Sequence, residues 1–165
     1  MKAKRKPFLP CLWDRLLDDE PRQQTEAWDK YHFDIRAMRA MVQRNIFDIL
    51  NTANIESRLT AGRHREVASS VLNFGISPLV GGHATPHNWT IIERMIREAL
   101  LRFEPRLLPE SIIINLHGDK KSPVSNGVIN FEIRGLVAWD PHPFDLSLGA
   151  RYDIETDSAS VKLNN

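Results

Sequence analysis

Cysteine is almost absent from this chain. Cys11 is the single one, so no intrachain disulfide can form, which suits a reducing cytoplasm. Long apolar runs are absent as well. No stretch approaches the roughly 18 apolar residues of a membrane-spanning helix. The N-terminus, MKAKRKPFLPCLWDRLL, begins basic, but Pro10 interrupts its apolar stretch and Asp14 closes it, too early for a secretory signal. Pro10 beside Cys11 also makes a poor lipoprotein cleavage site. An excess of one charge is missing too. The formal net charge is +1, and Lys2, Lys4, Arg5 and Lys6 supply four of the 22 basic residues. The remainder carries 18 basic against 21 acidic residues, with none of the concentrated basic patches that nucleic-acid binding requires. Internal repeats and low-complexity tracts are not found.

What is present is an ordinary globular balance. A 165-residue chain that is 42% hydrophobic and 26% charged can bury a sizeable core in one domain. Fifteen of the basic residues are Arg and seven are Lys. Arg is the better interface cation, because its planar fork is weakly hydrated and binds bidentately.

Two segments carry the helical period. In 34–51, Ile35, Met38, Val42, Ile46, Ile49 and Leu50 form a stripe, with Asp34 as N-cap. Arg36, Arg39, Gln43 and Arg44 fall off that stripe and read as a solvated face. In 89–103, Ile91, Ile92, Met95, Ile96, Ala99, Leu100 and Phe103 form a wider one. Pro105 ends it, since the residue before a proline is pushed out of the helical region. Between them, 52–68 reads as polar loop. SSVLNFGI (69–76) reads as a short helical turn closed by Gly75, and 77–88 as loop. After Pro105 the period changes to two. SIIINLH (111–117) reads as a strand, GVINFEIRGLVAW (127–139) and FDLSLGARYDIET (144–156) alternate apolar with polar residues, and a turn leads into ASVKL (159–163), the pattern of an antiparallel sheet covered on one face. Helices followed by strands predict an α+β fold, with N-terminal helices packed on one face of a C-terminal sheet. Residues 1–33 read as a basic tip and docking segment, and 34–165 as one domain.

Catalytic chemistry finds little footing. His83 and His87 have ligand-like spacing, but Gly81, Gly82 and Pro86 make the segment a loop with no third ligand nearby, so no metal is expected. There is no G-x-S-x-G elbow, and no Lys-Ser/Thr follows the Gly81–Gly82 pair. Glu98 and Glu104 are the tempting pair for sugar hydrolysis. Six residues apart on a helix, they point about 240° apart, and Arg94, Arg97 and Arg102 offer Glu98 ion pairs. No cofactor is implied.

Glu104-Pro105-Arg106 is left. It can be a helix stop with a surface ion pair, contributing about 0–1 kcal/mol. It can equally be a presented pair, stiffened by Pro105 and suited to gripping another chain. On the first count, Arg106→Ala is expected to leave the fold nearly intact.

LWDRLLDDEP (12–21), SVLNFGI (70–76), RFEPRL (102–107) and the closing FEI strand, DP turn and hairpin come in an order that resembles the TssE family of type VI secretion baseplate subunits. That family is similar to the small lysozyme-like wedge subunit of contractile phage tails. The resemblance covers most of 12–163. It implies a non-enzymatic structural role at the inner face of the cell envelope. It implies that Glu104, Pro105 and Arg106 contact the wedge core of TssF and TssG, and through them TssK. It also implies a fold like a sheath-subunit domain that starts assembly of the sheath proteins TssB and TssC. The strand edge at Ala159, Val161 and Leu163 is the expected sheath contact. Ser77-Pro78 stands where the family commonly has Pro-Asp, and 77–90 is longer than usual. A peptidoglycan-cleaving hydrolase and a generic cytoplasmic binding module are the alternatives.

Overall fold

The structure, a computed structural model, describes residues 34–60, 62–79, 88–118 and 123–164, with Leu12, Leu16 and 21–25 ahead of them. Most of residues 1–33, expected to form a docking segment, and Cys11, His83 and His87 therefore lie outside the described residues, and Leu12 and Leu16 are exposed. The chain divides into two units after Met41. The sheet and the site below belong to the second.

Helix α1 spans Ile35–Leu50. Asp34 caps it, its Oδ1 accepting the Ala37 amide at 2.7 Å. Met38, Val42, Ile46, Ile49 and Leu50 are buried as the period requires, and Met41 joins them. Ile35, in the first turn, is 41% exposed. The expected loop 52–68 is more ordered than its polarity suggests. It contains a 3-10 turn at Glu56–Arg58 and a short helix α2 at Arg65–Ser69. A further 3-10 turn spans Val71–Asn73. Helix α3 covers Trp89–Phe103, as the apolar stripe predicts.

Four antiparallel strands follow in sequence order: β1 Ile113–Leu116, β2 Val128–Val137, β3 Phe144–Asp153 and β4 Ser158–Leu163. The α+β class is as the sequence predicts. The register lays Ile129, Tyr152 and Ala159 in one row and Phe131, Ala150 and Val161 in the next. All six are buried. Such rows arise because alternate side chains share a face, so pairing and core formation specify each other. Helix α3 lies over this face, with the Trp89 ring 5.9 Å from that of Phe131.

The opposite face is polar, with one departure from a simple solvated surface. Glu132 lies at its centre and is only 7% exposed. Arg134 Nε donates to its Oε2 at 2.9 Å. Ser147 Oγ and Asn164 Nδ2 donate to its Oε1 at 2.9 and 3.0 Å. The Arg134 hydrogen bond, helped by those from Ser147 and Asn164, outweighs desolvation and lowers the Glu132 pKa. A carboxyl whose pKa is lower folded than unfolded adds stability above the unfolded pKa and loses it as pH falls through the folded one. Chemical denaturation of the wild type from pH 7 to pH 3 is therefore expected to show an acid loss that Glu132→Gln partly removes. Parallel curves for the two proteins would mean that Glu132 contributes nothing.

Candidate functional site

Helix α3 ends because Pro105 has no amide to donate and forbids helical geometry before it. Glu104 still closes the last turn, its amide bonded to the Leu100 carbonyl at 2.9 Å. The chain then reverses, with the Leu107 amide bonded to the Glu104 carbonyl at 3.2 Å. The next residues join the end of β2. Ala138 N donates to the Arg106 carbonyl at 2.8 Å, and Leu108 N to the Leu136 carbonyl at 2.8 Å. Ser111 Oγ reinforces this, donating to the Leu108 carbonyl at 2.7 Å and accepting the Leu136 amide at 2.8 Å. The turn is thus fastened both to α3 and to the sheet.

Within it, the Arg106 guanidinium grips the Glu104 carboxylate at both oxygens. Nε donates to Oε1 at 2.6 Å and Nη2 to Oε2 at 2.7 Å. The Arg106 amide adds a 3.3 Å bond to Oε1. Asn45 Nδ2, from α1, lies 3.5 Å from Oε2. This corrects the expectation of a pair projecting from a surface turn. The Glu104 side chain is 0% exposed and that of Arg106 24%, while Pro105 is exposed. Glu104 cannot meet a partner directly; what it does is orient Arg106. The two-residue spacing across a proline turn brings carboxylate and guanidinium face to face, and burial makes the geometry obligatory.

The carboxylates weighed for hydrolysis are not brought together for it. Glu104 is committed to Arg106, whereas Glu98 is exposed. Arg97, expected near Glu98, pairs instead with Glu93 at 2.8 Å and donates to the Ile112 carbonyl at 2.7 Å. Arg102 donates to the Ala68 carbonyl at 2.8 Å. Among the described residues, no three His, Cys, Asp or Glu side chains are grouped to hold a metal ion, and no helix is long and apolar enough to cross a membrane.

Among the described residues, strand β4 is an edge of the sheet. Ala159 and Val161 are buried and Leu163 is 37% exposed. The edge is not bare. Asn51 accepts the Ala159 amide at 2.8 Å and donates to its carbonyl at 3.0 Å, as a neighbouring strand residue would. Gln43 donates to the Val161 carbonyl at 2.9 Å. Gln43 thus has a structural partner, where the helical period alone gives it to solvent. Nothing local could have revealed this, because Gln43 and Asn51 meet β4 across more than a hundred residues. That they are amides, each able to donate and accept, was the available signal.

The described residues thus form an α+β fold in which a charged turn is fastened between helix α3 and the end of β2. The model of the family described as baseplate wedge protein gp25 matches residues 36–142, and the chain belongs to that family. Its members are structural baseplate components, in keeping with the TssE-like wedge subunit that the sequence resembles. No curated protein and no solved structure matched. The matched stretch runs from α1 through β2 and holds Glu104, Pro105 and Arg106; β3 and β4 lie beyond it.

Proposed function

We propose that this protein is the TssE-type subunit of a type VI secretion baseplate. It binds the wedge core of TssF and TssG, and through them TssK, by way of Pro105 and the outer edge of Arg106. It then offers the first ring of TssB and TssC a place to assemble, at the inner face of the cell envelope. The observation that carries this reading is the buried Glu104–Arg106 fork inside the family match. A buried carboxylate that fixes one Arg before any partner arrives reduces the ordering cost of binding.

The protein does this without catalysis. A glycosidase needs a carboxyl kept protonated in its cleft. Glu104 and Glu132, the buried carboxylates among the described residues, each face an arginine. In Glu132 the Arg134 bond shifts the pKa downwards, the wrong direction for a general acid.

Sheath contact is assigned to Ala159, Val161 and Leu163. An incoming strand would meet Gln43 and Asn51 along the edge, so pairing starts from exposed Leu163 and displaces the two amides in turn. Both halves of the reading are tested together. Glu104→Gln/Arg106→Met keeps the turn filled but removes its charges. It is expected to fold and to bind co-expressed TssF–TssG at least ~30-fold more weakly, the scale of an Arg hot spot of about 2 kcal/mol. Val161→Pro removes an edge donor and is expected to stop sheath growth while keeping wedge binding. Normal wedge binding by the folded double variant would exclude the site, and normal sheath growth on folded Val161→Pro would exclude the edge.

A further inference from the structure

The most exposed large apolar side chains described are neighbours. Val71 is 78% exposed and Leu72 70%. Scattered surface leucines mean little, but here the backbone beneath the pair is held on every side. Ser70 Oγ accepts the Leu72 amide at 3.2 Å and donates to the Val67 carbonyl at 2.9 Å. Asn73, 0% exposed, accepts the Ile55 amide at 3.1 Å and donates to the Ala68 carbonyl at 3.1 Å. Phe74 packs on Phe103, ring centroids 5.0 Å apart. Gly75, at φ +101°, lies against the Thr52 carbonyl. Four residues flanking the pair, Ser70, Asn73, Phe74 and Gly75, are thus pinned, and the two at the tip are given to water.

Core packing does not account for that arrangement, and neither Glu104 nor Arg106 uses it. A rigid turn carrying two aliphatic side chains is an anchor already in its bound shape, and pre-organised anchors of this kind enter fully desolvated pockets. The surrounding charge indicates the rim. The stretch 55–69 and helix α3, which are linked to the turn or to Ala68 beside it, expose Arg58, Arg63, Arg65, Arg94 and Arg102 against Glu56, Glu66 and Glu98. A net basic surround is complemented by carboxylates, which steer encounter and reject wrong partners. A lipid surface fits less well. It gains nothing from a fixed backbone, and the tip has no aromatic side chain of the kind that sits at membrane interfaces.

We infer that Val71 and Leu72 form a second docking point, an apolar plug for a pocket rimmed by acidic side chains on a protein partner. This contact is independent of Arg106 and does not rest on the baseplate reading.

A photoreactive amino acid at position 72 of the full chain, expressed in the cells in which the protein naturally occurs, tests it. Matched probes at Pro105 and Ile113 serve as comparison. Irradiation is expected to join position 72 to one protein, at a peptide containing apolar residues flanked by Asp or Glu. Adding Val71→Asp is expected to cut that yield at least tenfold, and Arg65→Glu several-fold, while Val71→Ile retains it. Thermal melts of all three should match the parent, since both residues are exposed. No adduct above the Ile113 background would overturn the inference. So would adducts only to phospholipid, to a second copy of this chain or to residues 1–33, or a yield unchanged by Val71→Asp. An adduct at Pro105 but not at 72 would leave the wedge reading intact and exclude this one. The reverse would keep the plug and exclude the wedge site.

Discussion

Arg106→Ala is expected to cost about 3 kcal/mol of folding stability, because it strands the buried Glu104 carboxylate without its cation. For a chain of this size that corresponds to roughly 6–12 °C in melting temperature. Asn45, at 3.5 Å, is too long a contact to compensate an ion. The charge has two ways out, to protonate or to drag water into the turn, and both loosen the join between α3 and β2. The informative comparison is with Glu104→Gln/Arg106→Ala. Removing the carboxylate together with its partner removes the uncompensated charge, so the double variant should recover much of the loss. Denaturant melts of wild type, single and double variants give the three energies. A single variant as stable as wild type would return the pair to the surface ion pair of the sequence reading. In that case Arg106 would be held by something other than Glu104.

Gly75→Ala is expected to be comparably damaging, by about 2–6 kcal/mol when backbone strain and overpacking are taken together. Gly75 has φ +101°, which L side chains rarely adopt, and an added Cβ would lie 2.0 Å from the Thr52 carbonyl oxygen. That oxygen is backbone and cannot rotate away. It also accepts the Ile76 amide at 3.0 Å, and Asn54 N donates to the Ile76 carbonyl at 3.0 Å. Moving it would break the bridge that ties 52–54 to the segment after the turn. The variant should express poorly or melt far below wild type, whereas Gly62→Ala, with nothing within 4 Å of its added Cβ, meets strain but no clash. Equal melting of the two alanine variants would show that the Thr52 contact is unimportant and only φ matters.

Parts of the candidate site were legible early because they depend on neighbours in sequence. A proline two residues past Phe103 has to end α3. Gly75 after a helical turn has to be where the chain takes a positive φ. Glu104 and Arg106, separated by one proline, were near enough to pair, which was one of the two readings the sequence left open. Their exposure was misjudged, since burial depends on what covers a residue. Nothing in RFEPRL announces that the segment after it will bond to the end of β2 and enclose the carboxylate. For the same reason Gln43 read as solvated and Glu132 as one more outward residue of an alternating strand.

The sequence by itself determined the class of fold, the approximate extents of α1 and α3, the faces that β2 and β3 turn inward, and the family to which the chain belongs. Each follows from periodicity or from short ordered motifs, which are local. The tertiary structure decided which charges are buried, which backbone edges are covered and which apolar residues remain in water. It seated Glu104 under Arg106, laid Asn51 and Gln43 along β4, and left Val71 and Leu72 exposed above a pinned turn. The pairings behind these outcomes reach as far as 118 positions along the chain, and the free energy of a polar or apolar group depends on the surroundings such pairings create.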